Sequence, residues 1–178
     1  RKFLLLLGSS NFTNNKNIIK KFNLFFRITK KQTLMNIEEL INACEIFKKN
    51  KTGALFVIER SNSLDFVRNT GDQLNLEIST PIIESIFFKN SPLHDGAVII
   101  EGNFITGARV ILPMSEKENI DSRLGLRHRA AFGITEKTDA IAIVVSEEKG
   151  KITFIKNGEI HPYQDIENLK TMIEVEMT

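Results

Sequence analysis

The stretch Ala97-Val98-Ile99-Ile100-Glu101-Gly102-Asn103-Phe104-Ile105-Thr106-Gly107-Ala108-Arg109-Val110-Ile111-Leu112 decides the fold class. Two runs rich in β-formers flank a Gly-Asn pair, the signature of a β-hairpin. The apolar runs at 54–58 and 140–146 are short and continuous, as buried strands are. Residues 151–156 follow a Gly150 turn and read as one more strand. Helical patterns separate these runs. Asn36 stands as an N-cap before Ile37, Leu40, Ile41, Cys44 and Phe47 at helical spacing. Glu38 and Glu39 in the first turn and Lys48 and Lys49 in the last suit the helix dipole. Thr80-Pro81 reads as a cap and a proline at the first helical position, with Ile82, Ile83, Ile86 and Phe87 continuing the helix. Residues 123–132 read as a further helix, and the polar stretch after Gly158 as helical or loose. This order predicts an α/β fold with a central mixed sheet flanked by helices.

The 178 residues are enough for one domain with an arm. An apolar share of 42% and a charged share of 26% exclude global disorder, collagen and coiled coil. Lys+Arg 24 against Asp+Glu 22 leaves +2, too little to predict nucleic-acid binding from bulk charge. A nucleic-acid-binding reading of the Lys/Asn arm is therefore weaker than an enzymatic one, and no nucleic-acid partner is expected. One cysteine, Cys44, excludes an internal disulfide and reads as a buried thiol of a reducing compartment. No apolar run reaches the ~20 residues a membrane span needs. Residues 1–33 read as an N-terminal arm, opening with a helix stub at 1–7. Residues 34–160 read as the domain proper and 161–178 as a C-terminal tail in which His161 is exposed. The chain begins with Arg1 rather than Met, so a preceding segment is expected.

Two segments could carry chemistry. In Ser91-Pro92-Leu93-His94-Asp95-Gly96-Ala97, a His-Asp pair stands where a strand begins, and Gly96 lets a ligand approach the backbone. This reads as a carboxylate base beside a metal-binding imidazole, or as a plain Asp-Gly turn. In Leu124-Gly125-Leu126-Arg127-His128-Arg129-Ala130-Ala131, three groups able to carry positive charge follow a glycine at a helix start. Such a tip suits an oligophosphate; it equally suits an exposed basic turn paired with carboxylates. Ser146-Glu147-Glu148, at a strand end, is a third candidate and otherwise an ordinary acidic turn. The P-loop, the Gly-x-Gly-x-x-Gly fingerprint, zinc-type Cys/His spacing and the Gly-x-Ser-x-Gly elbow are all missing from the sequence.

Taken together, these segments resemble the diadenylate cyclase domain, the DAC or DisA N-terminal domain. The matching residues are Pro92-Leu93-His94-Asp95-Gly96-Ala97-Val98-Ile99, Ile111-Leu112-Pro113, Leu124-Gly125 with Arg127-His128-Arg129-Ala130-Ala131, Gly133-Ile134-Thr135-Glu136 and Val145-Ser146-Glu147-Glu148. The resemblance extends over residues 35–160 and is nearest to the membrane-associated CdaA branch. Leu126 stands where many members carry Thr, Ala130 where DisA-type members carry Thr, and Ile111 where many CdaA members carry Tyr.

The resemblance implies condensation of two ATP into cyclic di-AMP with release of two pyrophosphates. Asp95 would be the base, with Arg127, His128 and Arg129 clamping the phosphates. Gly96, Ala97, Leu112, Ser146 and Glu148 would line the nucleotide pocket. His94 and, more weakly, Glu148 would hold a divalent metal, Mn, Co or Mg. It further implies a homodimer with facing sites and a place on the cytoplasmic face of the membrane, the present stretch being soluble. A YbbR-type regulator and a phosphoglucosamine mutase are the implied partners. The alternative is a catalytically silent nucleotide-sensing module of the same fold.

Overall fold

The strands that read as continuous apolar runs are those covered on both faces. In the computed structural model, which describes residues 35–117, 120–121 and 123–177, β1 (Ala54–Ile58) and β5 (Ile141–Val145) are buried at every position. Such strands lose the in/out alternation of a half-exposed sheet. The other elements are α1 (Ile37–Asn50), α2 (Asp65–Arg68), β2 (Asp72–Glu77), α3 (Thr80–Phe87), β3 (Ala97–Glu101), β4 (Phe104–Val110), α4 (Leu126–Lys137), β6 (Ile152–Lys156), β7 (Glu159–His161) and α5 (Ile166–Glu176). The expected helix stub and arm at 1–33 lie outside the described residues.

The seven strands form one sheet in the order β2-β4-β3-β1-β5-β6-β7. β1 and β3 are parallel and every other neighbouring pair is antiparallel. The expected mixed sheet between helices is thus the observed fold. Phe56, Ile58, Val98, Ile100, Ile143 and Val145 point to one face, where they meet Leu40, Phe47, Ile83, Phe87, Leu169 and Ile173 of α1, α3 and α5. The Phe47 and Phe56 rings both meet Phe87 edge-on, at 5.6 and 5.1 Å between centroids, a favoured aromatic geometry. Leu55, Val57, Ala97, Ile99, Ala142 and Val144 point to the other face, where Val67 of α2 and Ala131 and Ile134 of α4 cover them. Because β1 and β3 are parallel, both begin at the edge of the sheet where β4 and β5 end. The chemistry gathers there.

Several local expectations need correction. Asn36 makes no side-chain cap; its backbone N–H donates to Asn103 Oδ1 at 2.8 Å, tying the start of α1 to the hairpin turn. Thr80 lies within the first turn of α3 rather than capping it. Its N–H donates to Glu39 Oε2 at 2.6 Å and its hydroxyl to the Glu39 carbonyl at 3.1 Å, joining α3 to α1. The fourth helix runs Leu126–Lys137, not over 123–132. The stretch after residue 160 belongs to the same core: Asp165 caps α5 by accepting from Asn168 N–H at 2.8 Å, and Leu169 and Ile173 are fully buried. His161, expected to be exposed, is partly buried as the last residue of β7, its ring 6.1 Å from that of Phe154. The hairpin turn at Gly102-Asn103 lies where the sequence puts it.

Candidate active site

Each candidate segment reaches the same edge of the sheet for a local reason. The loop after α3 ends in Gly96, whose φ of +118° is open to glycine. A Cβ there would come within 2.8 Å of the Arg109 carbonyl carbon, so β4 and the Asp95-Gly96 turn can touch only with glycine at 96. This turn delivers Asp95 to the start of β3. On the other side of the sheet edge, Gly125 precedes α4 in extended conformation. Its carbonyl accepts from the N–H groups of His128 and Arg129, closing the first turn of α4, and a helix start of this kind attracts anions. At the end of β5, Ser146 opens a tight turn. Its carbonyl accepts from Gly150 N–H at 2.8 Å and its hydroxyl from Lys149 N–H at 3.2 Å.

These segments enclose one cleft of about 840 Å³. Asp95, Gly96, Ala97, Leu112, Arg127, His128, Ser146 and Glu148 all line it. His94 and Arg129, also expected in the site, are not among its lining residues. The cleft further contains Thr70, Arg109, Met114 and Arg123, which sequence reasoning did not select. Thr70 holds the rim in register: its hydroxyl accepts from Ile111 N–H at 2.9 Å and donates to the Val67 carbonyl at 2.7 Å. Ile111 and Leu126, at 70% and 76% exposure, give the mouth an apolar lip. For Arg109 a signal was available, a lone cation inside an otherwise apolar strand. For Thr70 there was none, because β2 and the turn before it did not read as structure.

Arg127 is held partly buried, its Nη1 3.3 Å from Glu147 Oε2. Its Nε is buried without a hydrogen-bond partner among the described residues, and the side chain as a whole keeps 28% exposure. His128 departs from expectation. Burial, and then the charges of Lys151 and Lys149, push its pKa down to about 4. Its Nε2 lies 3.3 Å from Thr153 Oγ1. At neutral pH it is an uncharged imidazole, so of the three groups expected to bring positive charge only Arg127 brings it to the cleft lining.

Among the described residues no group of three His, Cys, Asp or Glu side chains is placed to cage a metal ion. His94 nevertheless suits a single-ligand role. Its Nδ1 is 2.6 Å from the Ser91 carbonyl, which can only accept, so Nδ1 is the donor and Nε2 is the ring nitrogen left for a metal. An orienting bond of this kind is typical of metal-ligating imidazoles. A metal completing its shell with phosphate oxygens and water needs few protein ligands.

All the lining residues fall within the stretch 41–160, which matches the family described as DisA bacterial checkpoint controller nucleotide-binding, or DAC. The chain belongs to the DAC family. A cyclic di-AMP synthase, CdaA, of Bacillus subtilis is 44% identical to the DAC chain over 140 residues, covering 79% of the chain and 51% of that protein. The chain thus spans about half the length of this relative. A diadenylate cyclase of Mycoplasma genitalium is 35% identical over 161 residues, covering 90% of the chain and 74% of that protein. The crystal structure of a double mutant of DacA from Staphylococcus aureus superposes with a TM-score of 0.76 at 35% identity, covering 79% of the DAC chain and 94% of the other.

Proposed function

We propose that the chain is a diadenylate cyclase, joining two ATP into cyclic di-AMP and releasing two pyrophosphates. One observation carries this reading: Asp95 and the tip of α4 with Arg127 line the same cleft. The names of the relatives fit it. Each ribose 3′-oxygen attacks the α-phosphorus of the other ATP, and the bond from that phosphorus to the bridging oxygen of the leaving pyrophosphate breaks. Asp95 positions the hydroxyl and takes its proton. Arg127 offsets the triphosphate charge as it redistributes, with Arg129, outside the cleft lining, adding to the field from farther away. His128, uncharged, anchors the first turn of α4 rather than adding charge. Gly96 and Ala97 let ribose and phosphate lie against the backbone, while Leu112, Ser146 and Glu148 wall the nucleotide.

His94, with Glu148 second, would hold Mn, Co or Mg together with phosphate oxygens; the ion would supply further charge neutralisation. One cleft takes one ATP, so two protomers must oppose their clefts, and approximation of the bound reactants supplies several kcal/mol, on the order of 7–11 at best. In this reading residues 34–160 carry the catalytic site, and α5 completes the core beneath it. The full-length protein is assigned to the cytoplasmic membrane face, with a YbbR-type regulator and a phosphoglucosamine mutase as partners. None of the described helices is long and apolar enough to cross a membrane.

The test is incubation of the chain with ATP and Mn, Co or Mg, with mass spectrometry of the products. Cyclic di-AMP is expected, with a rate per protomer that rises with protein concentration as clefts pair. ATP recovered unchanged under all three metals, despite measurable nucleotide binding, would favour the sensing module instead.

A further inference from the structure

Arg109 belongs to none of the segments that suggested the site, yet it lines the cleft with Asp95 and Arg127. Its backbone is the unusual part. Three described non-glycine residues have positive φ: Lys51, Arg109 and Asn157. Lys51 is the C-cap of α1 and Asn157 sits in the β6–β7 turn, where this conformation is ordinary. Arg109, at φ 54°, lies inside a strand, where a long side chain in that region is costly. The cause is a bulge. Ala97 pairs with Val110 and Ile99 with Gly107, so two steps along β3 match three along β4. Bulges re-aim side chains and recur beside active sites, and observed strain of this sort points to a functional demand.

The guanidinium is tethered but accessible. Nε is 2.8 Å and Nη2 3.5 Å from the two carboxylate oxygens of Asp72, the first residue of β2. The side chains are 55% and 44% exposed. A solvated pair like this is weak and readily exchanged, whereas a phosphate in a cleft offers two or three charged acceptors to the same fork.

We infer that Arg109 is a phosphate-recognising residue of this cleft, one that exchanges its solvated pairing with Asp72 for a phosphate and so sets affinity for the nucleoside triphosphate. The inference rests on the nucleotide reading of the cleft. The test is titration calorimetry of the 178-residue chain with ATP and, separately, with adenosine, which has no phosphates. Arg109→Gln is expected to weaken ATP binding about tenfold, the scale of one charged hydrogen bond, with adenosine unchanged. Asp72→Asn, which removes the competing carboxylate, is expected to tighten ATP binding with adenosine again unchanged. A pair that only braces the β2–β4 edge would shift both variants in the same direction, or neither, and either result overturns the assignment. If Arg127→Ala weakens ATP binding and Arg109→Gln does not, Arg109 alone is excluded. Wild-type chain that binds ATP no tighter than adenosine overturns the nucleotide reading and this inference with it.

Discussion

A Cβ added at Gly53 would stand 2.7 Å from Nη1 of Arg127 and 3.1 Å from its Cζ. The guanidinium at the tip of α4 therefore rests against the residue that leads into β1, in room that only a missing side chain leaves. Gly53→Ala is accordingly expected to displace the Arg127 side chain, the mobile member of the contact, with Glu147, whose Cβ would be 3.1 Å away, yielding by a few tenths of an ångström. Stability should change by no more than about 1 kcal/mol, whereas ATP affinity should fall about tenfold. Thermal melting and calorimetry on the same variant separate the two. Unaltered ATP affinity would show that Arg127 does not need its place against Gly53.

Asp95→Asn keeps the side-chain volume and removes the base. Cyclic di-AMP formation should drop by at least about a hundredfold, with ATP binding still detectable by calorimetry. Full activity in this variant removes Asp95 from the mechanism.

His128 makes stability pH-dependent. Its folded pKa of about 4 lies below the ordinary value of 6.5, so the unfolded chain binds more protons between those limits. The contribution is complete above pH 6.5 and is lost as pH falls through 4, amounting to up to about 3 kcal/mol. Urea denaturation midpoints should fall between pH 7 and pH 5 in the wild type. His128→Gln should flatten that fall; an equal slope in both proteins would assign the pH dependence to other groups.

Leu169, on α5 beyond the stretch that matches the DAC family, is fully buried. Leu169→Ala should cost about 2–5 kcal/mol, read from denaturant midpoints. Phe66→Ala, at a site 57% exposed, should stay within about 0.5 kcal/mol and serves as the control. Equal small effects would mean that α5 is not part of the cooperative core.

Apolar order along the chain was sufficient for β1, β5 and the β3–β4 hairpin, because strands covered on both faces must be apolar throughout. Asp95, Gly96, Ala97, Leu112, Arg127, His128, Ser146 and Glu148 were legible as a set for a different reason: their motifs could be recognised as a family's before any geometry was known. β2 was not legible. It is a largely exposed edge strand whose only apolar mark is the short alternation Leu74, Leu76, Ile78 between polar residues, a weaker signal than the continuous apolar runs of the central strands. α2 is a single turn, too short for a helical period to show. The charge state of His128 required tertiary structure, since burial lowers its proton affinity and burial is a property of the packed chain. The same holds for Thr70 and Arg109: the sheet order that sets β2 beside β4, and the bulge in β4 that precedes the cleft rim, arise from strand pairing between distant segments.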